Sequence, residues 1–304
     1  MDCQLSKWVL VTGARGFVGR HVVRSLRNNG YRVAGLLRQT IAGSGMAADE
    51  CDVWLKPSDL SSVIAQRPWH AIVHLATSYG YDGRLADVVE SNLLLPVRLF
   101  DLCRTSGCEL FISADTFFGK QQFNYPHLRA YIQSKRELLT WAELVTTEQP
   151  EFRFVNLRLE HVFGEGDGPR KFVPDLLARL QQNQADIALT PGDQVRDFIY
   201  VADVAQAFTC VLQQRDLLSV GVTEFEVGTG TATTLREFVE TARTIASSQS
   251  RLNFGALPYR HDEIMFSVAE TQGLKKLGWQ AITPLVNGLK LTATASSKTS
   301  VGSE

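Results

Sequence analysis

The chain has 304 residues, 44% hydrophobic and 21% charged, with a formal net charge of −1. Such a chain can bury a large core in one or two domains, and its near-neutral charge offers nucleic acid or an anionic membrane surface no electrostatic attraction. No apolar run approaches the roughly 20 residues that span a bilayer, and the N-terminus enters a strand without the apolar core of a secretory leader, so a cytoplasmic protein is expected.

In chain order, Lys7–Thr12 (KWVLVT) reads as a short strand. A Gly-rich turn and a helical pattern follow, ending at the stop signal Asn28-Asn29-Gly30. Tyr31–Leu37 is the second strand, 40–50 a loop of small residues, and Ser58 a candidate cap for a short helix through Gln66. Ala71–Ala76 then reads as strand, Glu90–Ser106 as helix, Leu110–Ala114 as strand, Tyr131–Thr147 as helix and Phe152–Leu157 as strand. Strands alternating with long helices predict a parallel sheet with right-handed crossovers, an α/β doubly wound (Rossmann) fold. That domain is expected over residues 1–160, with a return near 194–228. Residues 161–304, richer in Gly, Pro and Asp, form a smaller mixed region expected to bind substrate. Its end, from Thr292, is polar, aperiodic and expected to be disordered. The five cysteines are scattered and without a CxxC pair, so reduced, mostly buried thiols and no metal site are expected.

The first strand opens into TGARGFVGRH, with Gly13, Gly16 and Gly19 at three-residue spacing. Glycine lets the backbone turn tightly against a pyrophosphate, and the helix start offers amide donors and a positive dipole end. A dinucleotide is therefore expected. At the end of the second strand an acid would bond the ribose 2′-OH of NAD, whereas an arginine accommodates the 2′-phosphate of NADP. The chain has Arg38 there, Arg15 inside the loop, and no acid between Gly35 and Thr40, which favours NADPH/NADP+.

In AYIQSKRELL, Tyr131 and Lys135 are four apart and share a helix face. An ammonium about 5 Å from the phenol would favour phenolate by roughly 3 kcal/mol at an effective dielectric of 20, about two pK units. Taken with TGARGFVG, VHLAT, RDFIYVADV and FEVGTG, this pair makes the chain resemble the extended short-chain dehydrogenase/reductases, through at least Trp279. The resemblance implies that Tyr131 passes a proton to or from a sugar oxygen during hydride transfer, while Lys135 holds the nicotinamide ribose. It also implies that Phe17, Val18, Leu75, Ala76, Thr77 and Asn92 join the loop glycines around the cofactor. Nucleotide-sugar substrates and a homodimer are expected, with no nucleic-acid or membrane partner. The implied substrate contacts are Asp115, Glu160, His161, Lys171, Phe172, Val173, Arg196 and Arg260, with Arg196 and Arg260 toward a diphosphate. His161 reads either as a substrate contact or as a packed imidazole, and Asp203 as a helix cap.

Within the family, DTFFGKQQFNY, RLEHVFGEGDGPRKFVP and DEIMFSVA resemble reductases of the 4-keto group of CDP-linked 3,6-dideoxyhexuloses, which serve lipopolysaccharide O-antigen synthesis. One departure stands out. Where such enzymes carry a Ser or Thr beside the tyrosine, this chain has Ala114. Thr116 replaces it if the strand parity holds; otherwise the position is a vacancy, engineered or degenerate, or the register slips by one and Ser113 takes the part. A dehydratase would want Glu at Thr116, an epimerase an acid near Arg38, and a catalytically inactive NADP-binding regulator would not need Tyr131 and Lys135.

Overall fold

The computed structural model describes residues 7–38, 50–60, 68–123 and 125–300. Residues 40–49 of the expected 40–50 loop and most of the helix expected after Ser58 lie outside them. Ser58 itself sits inside a 3-10 turn, Pro57–Asp59, rather than ahead of it.

Seven parallel strands build the central sheet: β1 (Trp8–Thr12), β2 (Arg32–Leu36), β3 (Val53–Leu55), β4 (Trp69–His74), β5 (Leu110–Thr116), β6 (Arg153–Leu159) and, arriving late in the chain, β11 (Gly221–Val227). Their order is β11-β6-β5-β4-β1-β2-β3. The order reverses between β1 and β4, and in an open α/β sheet the ligand crevice lies at that switch point, beyond the C-terminal strand ends. Side chains alternate across the sheet. Val9 and Val11 face the core under helix α1 (Phe17–Asn28), while Leu10, Ile72 and Phe111 face the opposite core. That second core is roofed by helices α3 (Leu95–Ser106) and α4 (Arg129–Glu148); the short helix α2 (Leu85–Val89) leads into α3 through a π-helical turn at Glu90–Leu94. Helix α1 stops where expected, at Asn29 and Gly30, the latter at φ +82°.

The remaining chain packs a third core around Phe163, Leu177, Phe198, Phe238 and Leu289. It holds strand β7 (His161–Phe163), helix α5 (Phe172–Gln181), strands β8 (Asp186–Leu189), β9 (Val195–Arg196) and β10 (Phe198–Tyr200), and the late helix α7 (Leu235–Ile245); helix α6 (Val201–Gln213) touches it at Val201 and then packs Val204, Phe208 and Val211 into the first core beside α1. Two expectations change here. Asp203 is no cap: it lies in the first turn of α6, where its carboxylate accepts the Ile282 and Thr283 amides. Residues 292–300, expected to be disordered, continue the last helix, Leu285–Ser300, anchored by the buried Leu289 and Ala293. No helix among the described residues is long and apolar enough to cross a membrane.

Candidate active site

The β1–α1 turn is shaped for close approach by a ligand. Gly13 adopts φ +65°, and a Cβ there would meet the Ala76 amide nitrogen at 2.6 Å. A Cβ on Gly19 would meet the Gly13 carbonyl oxygen at 2.0 Å, so only glycine lets α1 start this near the loop. Gly16 closes the turn by donating its amide to the Gly13 carbonyl at 2.8 Å. No side chain caps α1, which leaves its amide donors and positive dipole end facing the crevice. These features fit a dinucleotide pyrophosphate.

Behind the turn, Thr12 Oγ1 accepts the Leu75 and Ala76 amides, each at 3.1 Å, and lies 2.9 Å from His74 Nδ1. Asn92 accepts the Ser78 amide at 2.8 Å and the Thr77 hydroxyl at 3.2 Å. It also donates to Ser134 Oγ at 3.0 Å, which ties the post-β4 loop to the helix carrying Tyr131 and Lys135. At the far end of the crevice the Arg15 guanidinium lies over the Trp54 ring at 4.8 Å. Arg38 follows β2 by two residues and donates to Ser91 Oγ at 3.2 Å.

Tyr131 and Lys135 open onto a cleft of about 600 Å³, lined also by Phe17, Val18, Leu75, Thr77, Ala114, Asp115, Thr116, His161, Lys171, Phe172, Val173 and Arg260. The Lys135 ammonium lies 6.0 Å from the Tyr131 ring centroid and donates to the Ala114 carbonyl at 2.8 Å. β5 stays extended through Thr116, so Ala114 and Thr116 project to one side and both reach the cleft, while Ser113 is fully buried on the other. Thr116 lines the cleft with Tyr131, its hydroxyl accepting the Phe118 amide at 3.4 Å. The expected depression of the phenol does not appear. Burial pushes Tyr131 well above its ordinary range, reinforced by Tyr79 and Asp115 and only partly opposed by Thr116. Burial also lowers the Lys135 ammonium to about 8, with Asp115 pulling the other way.

Several expected substrate contacts are otherwise engaged. The Glu160 carboxylate is sealed against Lys120 at 2.6 Å and accepts the Ser267 hydroxyl at 2.9 Å. Arg196 does not line the cleft; it is buried and donates to Glu263 at 2.6 Å. Asp115 accepts from Asn156 at 2.8 Å and from Arg158 at 3.3 Å. His161 faces the cleft with its imidazole lowered to about 4 by burial and by the nearby Arg196 and Lys171. Its Nδ1 is buried and has no protein partner.

Sequence reasoning missed an aromatic wall. Tyr79 packs on Tyr131 with ring centroids 4.8 Å apart and stacks on Tyr81 at 5.2 Å. Lys171 lies 4.1 Å over the Tyr79 ring. Tyr125 stacks on Phe118 at 4.8 Å and receives an Arg260 N–H at 3.1 Å. The signal was the density of aromatics in SYGYDG and FFGKQQFNY, which has no periodicity to flag it.

A family model described as "NAD dependent epimerase/dehydratase family" matches residues 9–228. A CDP-abequose synthase of Salmonella typhimurium is 34% identical over 287 residues, covering 91% of this chain and 94% of the relative. One of Salmonella muenchen is 37% identical over 288 residues, covering 94% and 97%. Among solved structures, a UDP-glucose 4-epimerase of Thermotoga maritima with UDP-glucose superposes with a TM-score of 0.80 at 23% identity, covering 96% of this chain and 99% of that one. A Thermus thermophilus UDP-glucose 4-epimerase complexed with NAD gives 0.77 at 22%, covering 98% and 100%. At those identities the structures speak for the fold alone.

Proposed function

The chain belongs to the NAD dependent epimerase/dehydratase family, and from that premise we propose that it is an NADPH-dependent 4-ketoreductase of a nucleotide-linked deoxysugar. The favoured substrate is a CDP-4-keto-3,6-dideoxyhexose reduced toward CDP-abequose, a precursor for lipopolysaccharide O-antigen. The observation that carries this reading is a buried phenol, Tyr131, that shares the floor of one cleft with Thr116 and Lys135.

The dinucleotide, when bound, supplies a hydride to the sugar C4. The ketone oxygen then gains electron density and takes the Tyr131 proton, so a C–H and an O–H bond form as the carbonyl π bond is lost. Thr116 steadies that oxygen, and Lys135 compensates the phenolate left behind. Lys171, Arg170 and Arg260 put cationic groups along the cleft suited to a diphosphate. Arg15 over Trp54 and Arg38 just past β2 are the cations these turns could offer a 2′-phosphate, which supports NADPH over NADH. A homodimer remains part of the proposal; Leu85 and Val89 on α2 and Trp141 and Leu144 on α4, all exposed, support it.

The test is NADPH oxidation followed on addition of CDP-4-keto-3,6-dideoxyhexose, with the dTDP- and GDP-linked 4-keto sugars as comparators. Turnover with the CDP sugar supports the reading. No NADPH consumption with any of them, with epimerisation or dehydration products instead, overturns it.

A further inference from the structure

Directly behind Lys135 are two polar groups that the proposed chemistry does not use. His74 and Ser113 are both fully buried, and β4 and β5 pair them in register. In-register residues on neighbouring strands lie about 4.8 Å apart and share a sheet face. His74 Nε2 and Ser113 Oγ each have no hydrogen-bond partner among the protein atoms.

Thr12 settles which His74 nitrogen carries the proton. Its Oγ1 already accepts two backbone amides, so its own hydrogen points at His74 Nδ1. Burial keeps the imidazole neutral. A neutral ring accepting at Nδ1 must carry its hydrogen on Nε2, so a donor faces the Ser113 side of the strand pair. The last paired residue of β4 is His74, which leaves the Ala114 carbonyl beyond that strand, where Lys135 takes it. The ammonium thus bonds the residue next to Ser113, and Lys135 is the charge that bears on His74.

We propose that His74 and Ser113 hold one internal water against Lys135, making His74 a positioning residue that links the cofactor loop to the lysine. Buried waters occupy sites that offer two to four polar partners. Here the partners are His74 Nε2–H, Ser113 Oγ and Lys135 Nζ. The chain of contacts runs from the Leu75 and Ala76 amides through Thr12 and His74 to the water and the ammonium. A dinucleotide settling on that loop therefore meets a lysine already held in place. The catalytic consequence rests on the reductase reading; the water site does not.

Two variants test it. If the Ser113 hydroxyl is idle, Ser113→Ala removes a buried unpaired polar group and the melting temperature stays or rises. If it holds the water, the melting temperature falls by about 2–4 °C, and His74→Phe falls further. NADPH titration shows whether each variant keeps its fold and cofactor site. For turnover, the groups facing Lys135 are Asp115 from β5, neutral His74 from β4 and Tyr131 on its own helix. Of these Asp115 supports the ammonium and is untouched. The alkaline limb of kcat should move down by about half a unit to one unit in both variants, with the sugar-nucleotide KM within about twofold. An unmoved limb and an unchanged or raised melting temperature in NADPH-binding Ser113→Ala overturn the proposal. Absence of turnover in the unaltered protein overturns only the reductase reading, and the melting temperatures still decide the water.

Discussion

Replacing Thr116 with valine removes one hydroxyl from the cleft floor and keeps the branched shape that suits a strand. That hydroxyl shares the cleft with the Tyr131 phenol and accepts the Phe118 amide only at 3.4 Å. Losing so long a cap should cost stability at the low end of the usual range, about 0.5 kcal/mol. The kinetic effect should be far larger. A donor aimed at a developing alkoxide is worth about 3 kcal/mol, so kcat should fall by about a hundredfold. NADPH affinity should hardly change, because the Gly13–Gly19 turn is untouched. The assay is single-turnover NADPH oxidation with a CDP-4-keto sugar, alongside NADPH titration and a melting curve. Ala114→Thr belongs in the same experiment. If Thr116 serves beside the tyrosine, adding a hydroxyl at 114 changes turnover less than about threefold. If 114 is a true vacancy, it raises turnover by about tenfold to several hundredfold. Thr116→Val within about threefold of the unaltered rate, with Ala114→Thr strongly activated, would refute the reasoning.

Tyr131→Phe keeps the ring but removes the proton donor; NADPH binding should persist while turnover drops by at least about a hundredfold, and near-normal turnover would remove the acid from the scheme. Arg38→Asp should narrow or reverse a preference for NADPH over NADH, read from the two dissociation constants; equal constants in the unaltered protein would remove the basis for cofactor choice. Lys120→Met should leave the Glu160 carboxylate buried without its ammonium, at a cost of about 3–5 kcal/mol by denaturant unfolding; a loss below about 1 kcal/mol would mean that Glu160 takes up a proton cheaply. His70 and His161 are each lowered to about 4 by burial, so between pH 6.5 and 4 the unfolded chain binds protons that the folded one refuses. Stability should be full above that window and fall through it, by up to about 1.4 kcal/mol per pH unit for the buried His161 and by less for the half-exposed His70, whose charge solvent screens; a flat stability profile there would contradict the burial.

The sheet was legible because its strands are continuous apolar runs between helices of 3.6-residue period, and both signals are local. β3 was not, since its three residues follow no long pattern and earn their place only by pairing with β2. The end helix was misread for a related reason. A stretch rich in Thr, Ala and Ser has low apolar density, and its helix depends on Leu289 and Ala293 meeting a distant core. At the site, Tyr131, Lys135 and the loop glycines were readable because spacing alone puts each set together. Glu160 and His161 were harder. They are consecutive and both border the cleft, yet the Glu160 carboxylate is taken by Lys120, forty residues earlier, while the His161 ring keeps a buried Nδ1 without a protein partner. Arg196 illustrates the same limit, because its pairing with Glu263 joins segments that no local pattern connects.

The sign of the Tyr131 shift shows what a pairwise estimate leaves out. A lone ammonium near a phenol in a polar medium favours phenolate, and four-residue spacing invites that reasoning. In the folded chain both groups are buried, and desolvation penalises the charge on each, raising Tyr131 and lowering Lys135. The resting pair is thus biased toward a neutral phenol, with the lysine near its own midpoint at mildly alkaline pH. In the proposed reduction that bias has a use. The phenol must begin protonated to give its proton to the sugar oxygen, and phenolate is needed only after transfer. Once it forms, the charge on Tyr131 raises the proton affinity of Lys135, because opposite charges stabilise each other most strongly where water is excluded. The ammonium is then recruited by the reaction itself. Burial, which opposes charge on either partner, holds this acid–base pair in the protonation state from which the proposed ketone reduction starts.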